Sequence, residues 1–483
     1  MPRGWILRRC SAGVASLRSV VGTGLRRPGR WVEPGPLRDP AWRRREWRAW
    51  YVYDWANSAF LTTAAAVLLG PYVTALAERA ACGYVGTEER RCTGSVTVLG
   101  VQVAAGSLWL YAVALSTILT AVLLPLVGAL VDHVGRKRHL LAAFAWSGSA
   151  ATCLLLLTGG SRWQPVVGLA IVAGLCAGAA TVVYNSLLND IADLEDRDAV
   201  SSRGWAAGYL GAGIVLVGNI AFLEVASGLG IDFEAAVRIC FVSAGAWWAA
   251  WTVVPFLVLR DRPRTSRDRP AGGMLRGVGR SVTSLAGTLR DLPQTARFLV
   301  AFIFYNAGIQ VVLASAAVYA TRELGHSQTV VIFALICVQF VAAPGALGMG
   351  RLAERHGARP VIAGGLLIWA LASLVAAFIP DKNVPAYLGL AVCIGLVVGG
   401  SQALSRSIFS TLMPPGREAE FFGLYQTADR ATSWIATLAF GVLFQLLGDY
   451  RPAMAVTSAT FVIGMLLLAR VDLARGREQA AGS

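Results

Sequence analysis

Charge is what this sequence has least of. Asp, Glu, Lys and Arg make up 15% of its 483 residues, against about 25% in a soluble domain, while 55% of the residues are apolar by type. Mean hydropathy is +0.57. That balance argues against a soluble globular enzyme and against a disordered chain. Lysine is nearly missing: Lys137 and Lys382 are the only two, and every other base is arginine, which we read as a codon bias rather than as chemistry. The four histidines, His133, His139, His326 and His356, stand at the ends of apolar runs and form no ligand set. There is no CxxC or other metal spacing, no phosphate-binding GxxxxGKS/T loop, no HExxH and no GxSxG. No metal site, catalytic residue or cofactor is therefore expected, and ATP-driven work by this chain alone is not supported. Residues 1–32 carry arginine but no acid. They lack the apolar core of a signal peptide, so residues 1–46 are expected to be a basic, disordered cytoplasmic tail.

What the chain has in abundance is long runs without charge. Twelve stretches contain no Asp, Glu, Lys, Arg or His over 18 or more residues: 55–77, 107–131, 140–161, 163–189, 204–223, 239–259, 298–321, 327–350, 360–380, 383–405, 431–448 and 452–469. About 20 apolar residues in a helix cross a hydrocarbon core of ~30 Å. Lipid offers backbone groups no water to bond, so such segments must be helices or closed barrels. The period-two alternation of a barrel is absent. An all-α membrane protein with twelve transmembrane helices follows. Numbering the runs as spans 1 to 12, the N-terminal tail, the loops after even-numbered spans and the C-terminal tail hold 33 Arg and Lys, the loops after odd-numbered spans hold 8, and Arg406 and Arg430 at the ends of spans complete the 43. The positive-inside rule then places both termini in the cytoplasm. The net charge of +15 is a topology signal on one membrane face, not a nucleic-acid footprint.

The chain also repeats itself. "GALVDHVGRKR" after span 2 and "GRLAERHGAR" after span 8 match at Gly128/Gly350, Asp132/Glu354, Gly135/Gly357 and Lys137/Arg359, each 222 apart. Spans 4 and 10 match at seven positions 221 apart, from Gly168/Gly389 to Ser186/Ser407. Tyr53-Asp54 in span 1 corresponds to Tyr305-Asn306 in span 7. Two six-helix halves, 47–259 and 297–471, are therefore expected, both starting on the same side, with a solute site between them near the midplane. The linker 260–296 carries Leu275, Val278, Val282, Leu285, Leu289 and Leu292 at three- and four-residue spacing. That pattern predicts an amphipathic helix over 274–292 on the cytoplasmic membrane surface. Residues 472–483 are expected to be a second cytoplasmic tail.

"GALVDHVGRKR" resembles the loop signature of the major facilitator superfamily. "YVYDWANSAF" (51–60), "YNSLLNDIA" (184–192), "FLVAFIFYNAGIQ" (298–310) and "GGSQALSRSIFSTLMPPGREAEFFGLY" (399–425) narrow the resemblance to the autophagy-related vacuole effluxer-like family. The similarity runs over nearly the whole chain from residue 47. One departure is Ala307, where members of the family often carry Asp. The resemblance implies a secondary transporter in two pseudo-symmetric six-helix bundles, moving small solutes by alternating access. It also implies a link to amino-acid efflux through the fungal branch. The alternatives are a membrane-embedded enzyme, which would need a cluster of His, Asp or Glu near one face, and a receptor that kept the fold without transporting.

An intramembrane ionisable residue is a functional hypothesis by default. By analogy with the superfamily, spans 1, 4, 7 and 10 line the cavity, and they carry Asp54, Asn57, Asn185, Asn306, Gln310, Gln402 and Arg406. Asp54 would take an ammonium group or a proton, and Arg406 a carboxylate, because its planar fork donates two parallel hydrogen bonds. In a competing reading these two line the cytoplasmic gate and bind each other or Asp429. Gating is assigned to Asp132, Arg136, Glu354, Asp429 and Arg430. Asp132 is expected to act on span 11 and Glu354 on span 5, through helix-end electrostatics. Arg136 and Lys137 are expected to face lipid phosphate. Cys82 and Cys92 lie in the loop after span 1, on the non-cytoplasmic side, and are expected to form a disulfide. The expected partners are a small-molecule solute, a proton or other ion, and the lipid bilayer of a plasma or inner membrane (vacuolar in a eukaryote), with the protein a monomer.

Overall fold

A computed structural model describes residues 39–262 and 287–482, apart from positions 88, 89, 91, 288, 448 and 449. The tail expected over 1–46 falls outside this range up to residue 38. Pro40 already begins the first helix, so the run Arg43–Arg48 is helical. The amphipathic helix expected over 274–292 also lies outside the described residues, except at its end.

The body of the protein, Arg44–Ser483, is a bundle of long helices. In chain order they are α1 (Pro40–Cys82), α2 (Leu108–Val134), α3 (Lys137–Leu154), α4 (Trp163–Ile191), α5 (Arg197–Ala226), α6 (Phe233–Val258), α7 (Pro293–Val318), α8 (Gln328–His356), α9 (Ala358–Ala376), α10 (Val384–Thr411), α11 (Glu418–Leu447) and α12 (Tyr450–Ala469). Eleven of these are long and apolar enough to cross a membrane. The other, α11, carries Asp429 and Arg430 in its middle and stands where the eleventh span is expected. A short α13 (Leu473–Gly482) occupies the expected C-terminal tail. It packs inward through Gly476, where a Cβ would lie 2.5 Å from Leu412.

Local chemistry sets the ends. Asp232 accepts the backbone N–H groups of Glu234 and Ala235 at the start of α6, and Asn383 accepts that of Ala386 at the start of α10; both satisfy donors that a helix N-terminus leaves free. Gly83, Gly135 and Gly357 take positive φ where α1, α2 and α8 stop. In α1 the α-helical pattern widens to a π-helical stretch at Phe60–Leu68, a feature associated with functional positions in helices. Large apolar side chains stay exposed in stripes, such as Leu110, Ile118 and Val122 on α2 and Leu367, Leu371 and Val375 on α9, as a lipid-facing surface requires.

One extramembrane element was not foreseen. The loop after α1 folds into a hairpin of β1 (Ser95–Val98) and β2 (Val101–Ala104). It turns on Leu99 and Gly100, both at positive φ. Cys82 and Cys92 are joined by a disulfide in the same loop, with Cα atoms 6.0 Å apart.

The two sets of six helices meet along two long crossings, α2 against α11 and α5 against α8. Both crossings are close because of glycine. A Cβ at Gly128 would lie 2.2 Å from the Ala419 carbonyl oxygen, and one at Gly350 would lie 2.6 Å from Ser202 Cβ. Small residues of this kind are what permit helices to pack tightly in lipid.

Candidate functional site

Two polar clusters stand inside the bundle. The first centres on Arg406 of α10, which is 3% exposed. Its guanidinium approaches Asp54 Oδ2 of α1 through Nη1 at 3.4 Å and Nη2 at 3.5 Å. It donates through Nε to Ser201 Oγ and through Nη2 to the Ser201 carbonyl of α5, both at 2.9 Å, and through Nη1 to Asn185 Oδ1 of α4 at 3.3 Å. Tyr184 Oη donates to the same Asp54 oxygen at 2.7 Å. Three aromatic rings surround the cation, Trp50 at 4.6 Å, Tyr184 at 5.4 Å and Trp205 at 5.5 Å from Cζ, within the range of cation–π attraction. Trp50 and Tyr184 stack on each other with centroids 4.2 Å apart. Gly204 leaves room for this assembly: a Cβ there would meet Trp50 at 2.6 Å and Asp54 Oδ2 at 2.9 Å. Arg406 comes from one half, and Asp54, Asn185 and Ser201 from the other, so the pair bridges the halves. Asn185 is the repeat mate of Arg406, so the internal repeat brings together the two residues it relates.

The second cluster lies wholly in the C-terminal half. Asp429 Oδ1 of α11 accepts from Asn306 Nδ2 at 2.9 Å and Gln310 Nε2 at 3.3 Å, both on α7. Asn306 also donates to Thr432 Oγ1 at 2.8 Å and accepts from Gln402 Nε2 of α10 at 3.0 Å. Arg406 stands five residues before the end of α10, and Asp429 eleven after the start of α11. At 1.5 Å per residue these are depths of about 8 and 16 Å along their helices from the same face. Asp429 thus lies deeper than Arg406 rather than at its level. Its hydrogen bonds go to amides nearer the middle of the bundle, and among the described residues neither it nor Arg430 forms an ion pair with Asp54 or Arg406. Asn57 is buried on α1, and among the described residues its Oδ1 accepts no hydrogen bond; it joins neither cluster.

At the face where α2 ends and α11 begins, Asp132 is 8% exposed and accepts the Glu420 backbone N–H at 2.8 Å. A carboxylate there is favoured by the positive end of the helix dipole. Lys137 corrects an expectation. It does not face lipid phosphate but is buried, 2.9 Å from Asp190 and 3.8 Å from Glu418, with its ammonium also donating to the Ser186 carbonyl. Two carboxylates supply the charge that makes its burial tolerable. Arg136 is exposed. Glu354 is exposed too, and among the described residues no hydrogen bond or ion pair joins it to α5. Asp198 already stands in the first turn of α5 and forms no ion pair among the described residues, so a second carboxylate there would add like charge.

Several residues in these networks were missed from sequence. Arg197 donates to the Ser410 carbonyl at 2.7 Å and Asn189 to the same oxygen at 3.1 Å, and Ser201 donates to the Ala403 carbonyl at 2.6 Å; each contact crosses between the halves. Trp50, Tyr184 and Trp205 sit in apolar surroundings where an aromatic reads as packing. Lys137 did carry a signal, being one of two lysines in the chain.

Helices arranged this way define a class, the multi-pass transporters of the major facilitator fold. The proton:xylose symporter XylE superposes with a TM-score of 0.68 at 15% identity, covering 89% of this chain and 96% of that one. Within the class, a family model described as "Vacuole effluxer Atg22 like" matches residues 42–481, and the chain belongs to that family. It is 28% identical over 432 residues to the uncharacterized MFS-type transporter YxiO of Bacillus subtilis, covering 88% of this chain and 94% of that protein. It is 24% identical over 560 residues to Autophagy-related protein 22-1 of Neosartorya fischeri, covering 90% and 91%. The relatives are transporters rather than enzymes, which sets aside the membrane-enzyme alternative.

Proposed function

We propose that the protein moves a small solute across its membrane by alternating access, and that the Asp54–Arg406 assembly is the core of a gate, closed here. One observation carries this reading. Among the described residues, every charged contact between the halves lies toward the face where α10 ends and α11 begins: Asp54–Arg406, Lys137–Glu418, Asp132 with the start of α11, and Arg197 with Ser410. Contacts between the halves deeper in the bundle are neutral, such as Thr427 with Ala121 and Gln339 with Thr62. A site between rocking halves can open on one side only when the other is held shut. The partnership of Asp54 with Arg406 favours the gate over direct binding of a zwitterion, since each already satisfies the other. The excess of arginine on the closed face supports placing it in the cytoplasm, and the family description of its relatives supports efflux, with amino acids as one solute class.

A cross-link tests the gate. Ser201→Cys paired with Ala403→Cys should oxidise readily, stop counterflow of solute in liposomes, and release it again on reduction. Full counterflow by the cross-linked protein would remove the gate from the mechanism.

A further inference from the structure

The geometry points to Asp429, Gln310 and Gln402 as a recognition site for a primary ammonium group on the transported solute. This rests on the transporter reading above and deepens it. Asp54 has Arg406 and Asp190 has Lys137, whereas Asp429 forms no salt bridge among the described residues. Its hydrogen bonds come from neutral amides, and both go to Oδ1. Among the described residues Oδ2 accepts no hydrogen bond, and Asp429 is only partly buried. Gln310 and Gln402 each spend an Nε2 donor inside the cluster, on Asp429 and on Asn306 respectively. Their Oε1 atoms accept no hydrogen bond among the described residues, and both side chains are likewise partly exposed.

One free carboxylate oxygen and two free amide oxygens therefore belong to neighbouring side chains on α11, α7 and α10. A primary ammonium carries three N–H donors and no acceptor, so donors and acceptors match in number. The carboxylate supplies the opposite charge that an ion leaving water needs. Asn306 holds the arrangement in place: it is fully buried, donates to Asp429 and to Thr432, and accepts from Gln402, which fixes the direction of each amide it touches. Arg430, the next residue, acts on Asp429 through its charge, but among the described residues it makes neither a salt bridge nor a hydrogen bond to the second carboxylate oxygen.

The test measures equilibrium binding to the full-length protein in nanodiscs, with matched probes: n-butylammonium, which carries the cation alone, and butyrate, which carries the opposite charge. Butylammonium should raise the unfolding temperature in a saturable way, and butyrate should not. Asp429→Asn should weaken the apparent Kd for butylammonium about tenfold, as expected for loss of a charge-assisted contact. Gln310→Leu keeps the carboxylate and should weaken binding by a smaller factor, so the site is tested even if the first variant folds poorly. Replacing sodium by choline should change nothing. Equal stabilisation by butyrate, retention of butylammonium binding in both variants, or a sodium-dependent shift lost in Asp429→Asn would overturn the assignment, the last in favour of an inorganic cation site. Because no transport is measured, failure here leaves the gate untouched, and failure of counterflow leaves this binding result standing.

Discussion

Gly128 and Gly350 occupy equivalent places in the two halves. Each lets its helix meet a partner from the other half at a distance no side chain would allow, Gly128 against Ala419 and Gly350 against Ser202. Four residues further on, the halves diverge. Asp132 is buried and bonded to the first turn of α11, whereas Glu354 is exposed. Lys137 turns inward to Asp190 and Glu418. Its repeat mate Arg359 instead donates to the carbonyls of Ala469 and Val471 at the end of α12, the service that Arg138 performs for Leu259 at the end of α6. A close contact at a glycine is thus common to both halves, while the charge network is concentrated on the α2–α11 side. Steric constraints depend on the fold and repeat with it. Electrostatic ones depend on which partner charges each half happens to present.

The largest expected effect is on the contact that joins both sides of this comparison. Arg406→Gln leaves Asp54 buried without its cation, a loss of about 3–5 kcal/mol from the closed arrangement. Thermal unfolding should shift downward, and the Ser201→Cys/Ala403→Cys cross-link should form poorly. Adding Asp54→Asn should recover part of the loss; a single variant as stable as the parent would break the argument. Next comes Lys137→Met, which removes the buried ammonium that Asp190 and Glu418 share and should cost roughly 2–3 kcal/mol, discounted because both acids keep some access to water. Arg359→Met should cost clearly less, and equal losses would show that the two loops are energetically alike after all. Asp132→Asn removes a charge from the start of α11, worth about 1–2 kcal/mol in a partly buried setting, and should slow counterflow without lowering expression. Glu354→Gln should fall within ~0.5 kcal/mol, as surface substitutions do. Unchanged transport in both of these last variants would exclude a role for the loop acids.

The class of fold was legible because lipid leaves so few choices: long uncharged runs must become helices, and the repeat orders them. The residues of the Asp54–Arg406 assembly were legible as isolated intramembrane charges, but their partnership was one of two open readings. The choice between them depends on how α1 and α10 are placed, which no spacing along the chain encodes. Lys137 was misread because its partners, Asp190 and Glu418, come from the end of α4 and the start of α11. Trp50 and Tyr184 were passed over because a cation–π cage and ordinary packing use the same residue types. The β-hairpin at 95–104 is four residues a side, too short for its alternation to stand out beside a membrane span.

The clearances at Gly128 and Gly350 have a mechanical consequence. Where two helices already touch at a glycine, Gly128 on the Ala419 backbone and Gly350 on the Ser202 side chain, they can swivel about the point of contact but cannot be pushed closer. Two such points, one on each side of the bundle, act as a pair of bearings. If the halves rock, the line through these bearings is the natural axle, and parts farthest from it travel farthest. The glycines would then matter in every conformation of the cycle, while the charges around Asp54 and Arg406 hold in only one.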